Sequence, residues 1–228
     1  MSALIARDSL ISAPLRNRGH SMLARVLFAI TLFVSSATGW AQQPQAGKDF
    51  FELNPAFATD APGKIEVLEF FWYGCPHCFN LDPLIETWSK KLPADVSFRR
   101  VPAVFNQNWE AAARIHYTLD ALGQLDRLHK PFFDAIHNDN LRYSNQSQFD
   151  AWLTKSGVAL DKYNTTAKSF TVESKVRRSI QLTGQYKFEG VPAIVVQGRY
   201  AVGGQTSPAR QLQNADFFIA QVRAEQKK

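Results

Sequence analysis

Cysteine is almost absent from this chain. Of 228 residues only Cys75 and Cys78 carry a thiol. A framework of scattered disulfides is therefore excluded, and a structural zinc site lacks the second Cys-x-x-Cys or clustered histidines it would need. Long apolar runs are scarce too. The one continuous stretch, Val26 to Val34, is too short to span a bilayer. Nor is there a strong excess of one charge: 26 Lys and Arg stand against 20 Asp and Glu. No basic stripe with interleaved aromatics occurs, so nothing points to a nucleic-acid partner. The chain also has no internal repeat.

The short apolar run instead reads as the core of a signal peptide. Arg25 precedes it and small residues follow, with Gly39 and Ala41 at the −3 and −1 positions of a cleavage site. The expected leader is 1–41, leaving Gln42 as the new N-terminus. Its length before the apolar core, and Asp8 within it, make Met22 an alternative start. An uncleaved membrane anchor is the competing interpretation. Without the leader the chain carries 22 basic and 19 acidic residues, close to balance. Export changes how the thiols read: in an oxidising compartment a close pair is expected to cycle between dithiol and disulfide.

Hydrophobic patterning divides the remainder. From Lys48 to about Val104 it predicts β-β-α-β, with an edge strand at 49–52, a buried strand at 64–72, a helix at 78–91 and a strand at 96–101. From Asn108 to about Lys187 the pattern is helical, with segments near 108–122, 125–138, 147–156 and 172–186. Strand character returns at 193–196 and 199–202 around Gly198, and a last helix covers 208–225. Neither α/β half has strands enough for a sheet alone, so the helical block is expected to be an insertion.

The two cysteines follow the run Val67-Leu68-Glu69-Phe70-Phe71-Trp72-Tyr73-Gly74 and sit as Cys75-Pro76-His77-Cys78 before a helical pattern. Cys75 is thus placed at or just before a helix N-terminus, where unpaired N–H groups and the helix dipole favour thiolate over thiol. His77 adds a nearby donor or positive charge, and Pro76 fits the first helical turn. A stabilised thiolate is a good leaving group and favours the reduced pair, so this pair tends to give its disulfide away. A disulfide across two residues would constrain little chain, which weakens a purely structural role. Haem attachment would need His at 79, where Phe79 stands. Of the aromatics before the pair, Phe70, Phe71, Trp72 and Tyr73, alternation is expected to turn two inward and leave two at the site rim. His116, His129 and His137 lie on helical patterns without partner spacing and are expected at the surface or its boundary. Asn145-Gln146-Ser147 and Asn164-Thr165-Thr166 fit the glycosylation pattern, which a bacterial exported protein would ignore.

LEFFWYGCPHC, the helical insertion and the later Gly190-Val191-Pro192-Ala193 together resemble the DsbA family of bacterial periplasmic thiol oxidases, over essentially all the chain after the leader. The resemblance implies an α/β, thioredoxin-like fold over 48–106 and 187–228, interrupted by an all-helical domain at 107–186. It implies a monomeric periplasmic enzyme that donates the Cys75–Cys78 disulfide to newly exported proteins through a mixed disulfide on Cys75. Cys78, one turn into the helix, would be the more buried thiol. No metal or organic cofactor is implied, and reoxidation would fall to a DsbB-like quinone-linked membrane partner. The Val191–Pro192 bond is implied to be cis and to face the cysteines, leaving backbone for a substrate strand; an ordinary trans proline at a strand start is the alternative. Glu69 and Asp82 match acidic positions of the family, the second a glutamate there, and could take the Cys78 proton. Arg100 stands where the family usually carries lysine. For these three the competing role is a surface salt bridge. Rival functions are a disulfide isomerase or reductase, and a peptide-binding chaperone with incidental thiols.

Overall fold

A computed structural model describes residues 43–186, 188–203 and 206–227. The expected signal peptide, with its alternative start, lies outside them. From Pro44 onward the chain forms one compact unit.

Five strands make the sheet: β1 (Phe50–Glu52), β2 (Ile65–Phe71), β3 (Val96–Pro102), β4 (Ala193–Val196) and β5 (Tyr200–Val202). Their spatial order is β1-β5-β4-β2-β3, with β2 and β3 parallel and every other neighbouring pair antiparallel. The parallel pair needs a crossover, which α1 (Pro76–Ser89) supplies. The antiparallel β4–β5 pair needs only a tight turn. Gln197 and Gly198, at φ +52 and +60, take the left-handed backbone conformation that lets such a turn match the right-handed twist of the strands.

Between β3 and β4 lie five helices: α2 (Gln107–Ala121), α3 (Leu125–His137), α4 (Gln146–Lys155), α5 (Leu160–Ala167) and α6 (Phe170–Tyr186). The fold closes with α7 (Pro208–Glu225), whose N-cap Ser207 accepts from the Arg210 N–H. Most sequence expectations hold to within two or three residues. The helix after the cysteines starts two residues earlier, at Pro76. Helix α5 was not expected at all: Thr165 and Thr166 disfavour helix, and Tyr163 is its one buried side chain.

All seven residues of β2 are buried. One face carries Ile65 and Val67, which pack with Leu81 and Ile85 of α1 and Phe218 and Ile219 of α7. The other carries Leu68 and Phe70 against Leu182 and Tyr186 of α6. A strand covered on both sides shows no polar alternation. At its end Phe71 and Tyr73 enter a third cluster with α2, α3 and α4, and that cluster includes both cysteines. The thiol pair therefore sits where the sheet meets the helical block.

Candidate active site

Cys75 is the N-cap of α1, with extended backbone, and Pro76 occupies the first turn. Its sulfur accepts from the Cys78 N–H at 3.4 Å. The two cysteines are not bonded to each other, and both are buried, Cys78 completely and Cys75 to 8% exposure. Their acidities diverge. A hydrogen bond from the Cys78 thiol, then the N–H groups of Cys78 and His77 and the charge of the exposed His77, bring Cys75 down to about 6 against the opposing effect of burial. Burial first, and the Cys75 sulfur second, push Cys78 well above an ordinary thiol. One sulfur is thus a good leaving group, while the other retains its proton.

Beneath the pair lies a charged cluster. Glu69 of β2 and Asp82 of α1 are 2% and 4% exposed, so neither forms a surface salt bridge. Arg100 of β3 lies between them: its Nε is 3.2 Å from Glu69, and one Nη is 3.4 Å from Asp82 and 3.1 Å from Glu86. Register explains the first contact, because Glu69 and Arg100 are cross-strand partners in the β2–β3 ladder. The Glu69 contact is misaligned for hydrogen bonding, and both atoms lack a hydrogen-bond partner. Burial raises the Glu69 carboxyl to about 7, with the Arg100 charge opposing and Asp82 adding to the rise.

Across the site the Val191–Pro192 peptide is cis. The Val191 carbonyl oxygen lies 3.4 Å from the Cys75 sulfur. The Pro192 carbonyl accepts from Gln211 Nε2 at 3.1 Å, and Gln211 also reaches Val202. This buried glutamine of α7 ties the loop to the sheet, and no motif announced it.

The aromatics before the pair divide differently from the alternation expected. Phe70, Phe71 and Tyr73 are all at most 1% exposed, because helices cover both faces of the strand end. Only Trp72 stays at the rim, stacked on Trp109 at 4.4 Å and donating to Tyr143 Oη. Its indole lies over Gly74, where a Cβ would come closer to the ring atoms than van der Waals contact allows, so any side chain there would force the ring to move.

Two of the three histidines depart from expectation, while His137 is half-buried at the boundary as expected. His116 and His129 are buried, and both Nδ1 atoms meet the Tyr73 hydroxyl, at 3.1 and 2.7 Å. His129 Nε2 lies 3.1 Å from Asp82. His137 Nε2 donates to the Tyr73 carbonyl at 2.8 Å, holding the turn that leads into Cys75. The signal was available in α3: His129 shares a helical face with Leu125, Phe132 and Phe133.

A family model described as a DSBA-like thioredoxin domain matches residues 85–215. The thiol:disulfide interchange protein DsbA of Pseudomonas syringae pv. tomato is 37% identical over 205 residues, 89% of this chain and 95% of its own. The chain belongs to the DsbA family. DsbA of Azotobacter vinelandii is likewise 37% identical, over 210 residues that cover 90% of this chain and 98% of the relative. The crystal structure of Pseudomonas aeruginosa DsbA superposes with a TM-score of 0.76 at 37% identity, covering 81% of this chain and 97% of that one. The family match begins after the cysteine pair, but alignments of such extent necessarily include it. As a DsbA-family member the protein is a thiol:disulfide oxidoreductase with a thioredoxin-like fold carrying a helical insertion. Among the described residues, no helix is long and apolar enough to cross a membrane.

Proposed function

We propose that this protein is a periplasmic dithiol oxidase which passes the Cys75–Cys78 disulfide to newly exported, cysteine-containing proteins. The observation that carries it is the opposed acidity of the two thiols, Cys75 at about 6 and Cys78 well above the usual range. A substrate thiolate attacks the Cys75 sulfur of the disulfide, and Cys78 leaves and takes up a proton. A second substrate thiolate then attacks the substrate sulfur of the mixed disulfide and expels Cys75 as a stable thiolate. Two electrons have moved from substrate to enzyme, leaving the substrate disulfide with Cys78 as a thiol and Cys75 as a thiolate; of the two protons lost by the substrate thiols, Cys78 takes one and solvent the other. The cysteine pair carries the electrons, so this chemistry requires no metal or organic cofactor. Reoxidation falls to a DsbB-like quinone-linked membrane oxidase.

Pro76 and His77 set the helix start, His77 adding its charge. Glu69 is the group that accepts the Cys78 proton when the disulfide is remade, with Asp82 and Arg100 in support. Backbone at Val191 and Pro192, beside the Cys75 sulfur, offers an edge along which an unfolded chain pairs. Residues 48–106 with 187–228 act as the redox domain and 107–186 as its cover, after a signal peptide at 1–41 is removed. The enzyme works as a monomer.

Equilibration with glutathione tests this reading. A couple far more oxidising than thioredoxin's is expected, together with catalysed oxidation of a reduced protein that is lost in Cys75→Ser. A couple near thioredoxin's would identify a reductase. Unchanged peptide capture with no turnover in the wild type would identify a chaperone.

A further inference from the structure

Every oxidation cycle brings a proton to Cys78 and takes it away again, yet Cys78 is wholly buried. Its neighbours on the α1 face and on β2, Asp82 and Glu69, are buried as well. A substrate docked along Val191 covers the Cys75 side. Arg100 links the acids to a cavity between β3, α2 and α6, but a guanidinium does not release its proton in proteins.

Another chain of groups leads outward. From Asp82 Oδ1 it runs to His129 Nε2 at 3.1 Å, from His129 Nδ1 to Tyr73 Oη at 2.7 Å, and from Tyr73 Oη to His116 Nδ1 at 3.1 Å. His116 lines that cavity, of about 340 Å³, together with Arg100, Phe98, Tyr117, Asp120 and Lys175. The cavity includes neither cysteine nor Val191. Four elements contribute: α1, α3, the end of β2 and α2.

The donor and acceptor count closes in two ways. With Asp82 ionised, His129 donates from Nε2, Tyr73 donates to His129 Nδ1, and His116 donates from Nδ1 to Tyr73. A proton arriving at His116 Nε2 displaces each proton one step along and leaves Asp82 protonated. Every bond then points the other way, and no group is left without a partner. Such a chain conducts a proton without moving a heavy atom.

We propose that His116, Tyr73 and His129 form a proton relay joining Asp82, beside Cys78, to solvent at the cavity between β3, α2 and α6. This rests on the oxidase reading above. His129 and Tyr73 act through Asp82 and are positioning residues. Burial first of all keeps both histidines neutral; His129, Arg100 and Lys175 add to it at His116, and at His129 Arg100 adds to it against Asp82 and Glu86. Phe71 packs edge-on to both rings at 5.4 and 5.3 Å, which closes the relay to stray water.

The test separates two steps in the reaction of the reduced, full-length protein with oxidised glutathione, followed by stopped flow between pH 5 and pH 8. Attack by Cys75 is bimolecular, and closure by Cys78 is unimolecular and saturates. Tyr73→Phe removes one oxygen from the relay and is expected to slow closure about a hundredfold, the low end of a lost proton-transfer contribution, while the bimolecular step is unchanged. His129→Gln keeps a donor to Asp82 but cannot pass a proton, so it should slow closure equally; a merely structural role predicts wild-type closure. Should Tyr73→Phe fail to fold, His129→Gln decides. Closure rates within about twofold of wild type across the pH range would overturn the relay and point to exchange past Arg100. A wild type whose Cys75 forms no mixed disulfide would overturn the oxidase reading, and the relay with it.

Discussion

The sulfur of Cys75 and the carbonyl oxygen of Val191 lie 3.4 Å apart although 116 positions separate them in the chain. Cys75 comes from the first part of a discontinuous α/β unit and Val191 from the second, with five helices between. The contact exists because β4 returns from the helical block to pair antiparallel with β2. The Val191 backbone and the reactive thiol are thus brought together only once the whole fold has formed.

The acidity of Cys75 should depend more on Cys78 than on His77, since the hydrogen bond from Cys78 is the largest cause of its depression and the His77 charge is the smallest one named. Titrating thiolate absorbance in the reduced protein should show one midpoint near 6. Cys78→Ala is expected to raise that midpoint more than His77→Ala does. The reverse order would place the main control in the imidazole.

Reduced and oxidised protein should differ in stability, and the difference should grow with pH. Cys75 falls from 9.0 to about 6 on folding, so the thiolate's contribution is complete above 9 and fades as pH drops through 6. At pH 7 about 1 kcal/mol remains after allowance for solvent screening. Denaturant midpoints of the two forms, compared from pH 5.5 to pH 8, should separate upward with the reduced form the more stable. Converging midpoints at high pH would contradict a stabilised thiolate.

How much of this was legible in the sequence follows from how local each feature is. The cysteine pair, the helix beginning at it and the buried strand before it are local signals, and all can be read within 20 residues. Gln211 reaching Pro192 and Arg100 gathering Glu69, Asp82 and Glu86 are long-range contacts with no spacing rule. Glu69 and Asp82 could be singled out as acids in an apolar setting, but their burial depends on helices packed from elsewhere. His116 and His129 are a different kind of miss. Their helical face is apolar, and a polar residue on it was taken as boundary although the stripe runs through it.

Gly74→Ala should disturb the rim and leave the cysteines' own sequence intact. The new methyl would enter the space of the Trp72 ring, which must turn off Trp109 and release Tyr143. A cost of about 1–3 kcal/mol is expected for such overpacking. Tryptophan fluorescence should shift in the same variant. A wild-type spectrum and midpoint would mean that the stack is not held in solution.

Glu69→Gln gives the sharpest dependence on pH. The wild-type carboxyl rises from 4.5 to about 7 on folding, so the folded state holds its proton where the unfolded state has lost it. That contribution is complete below 4.5 and disappears as pH climbs through 7, so wild-type stability should decline across this window by roughly 3 kcal/mol. Glutamine has no proton to lose, and Arg100 keeps Asp82 and Glu86 as partners. The variant should therefore be flatter between pH 4.5 and pH 8 and gain on wild type at the alkaline end. If Glu69 also takes the Cys78 proton, the same variant should slow disulfide closure while Cys75 still reacts at the wild-type rate. A flat wild-type profile would mean that Arg100 holds Glu69 ionised throughout, and the Cys78 proton would then have to go to Asp82.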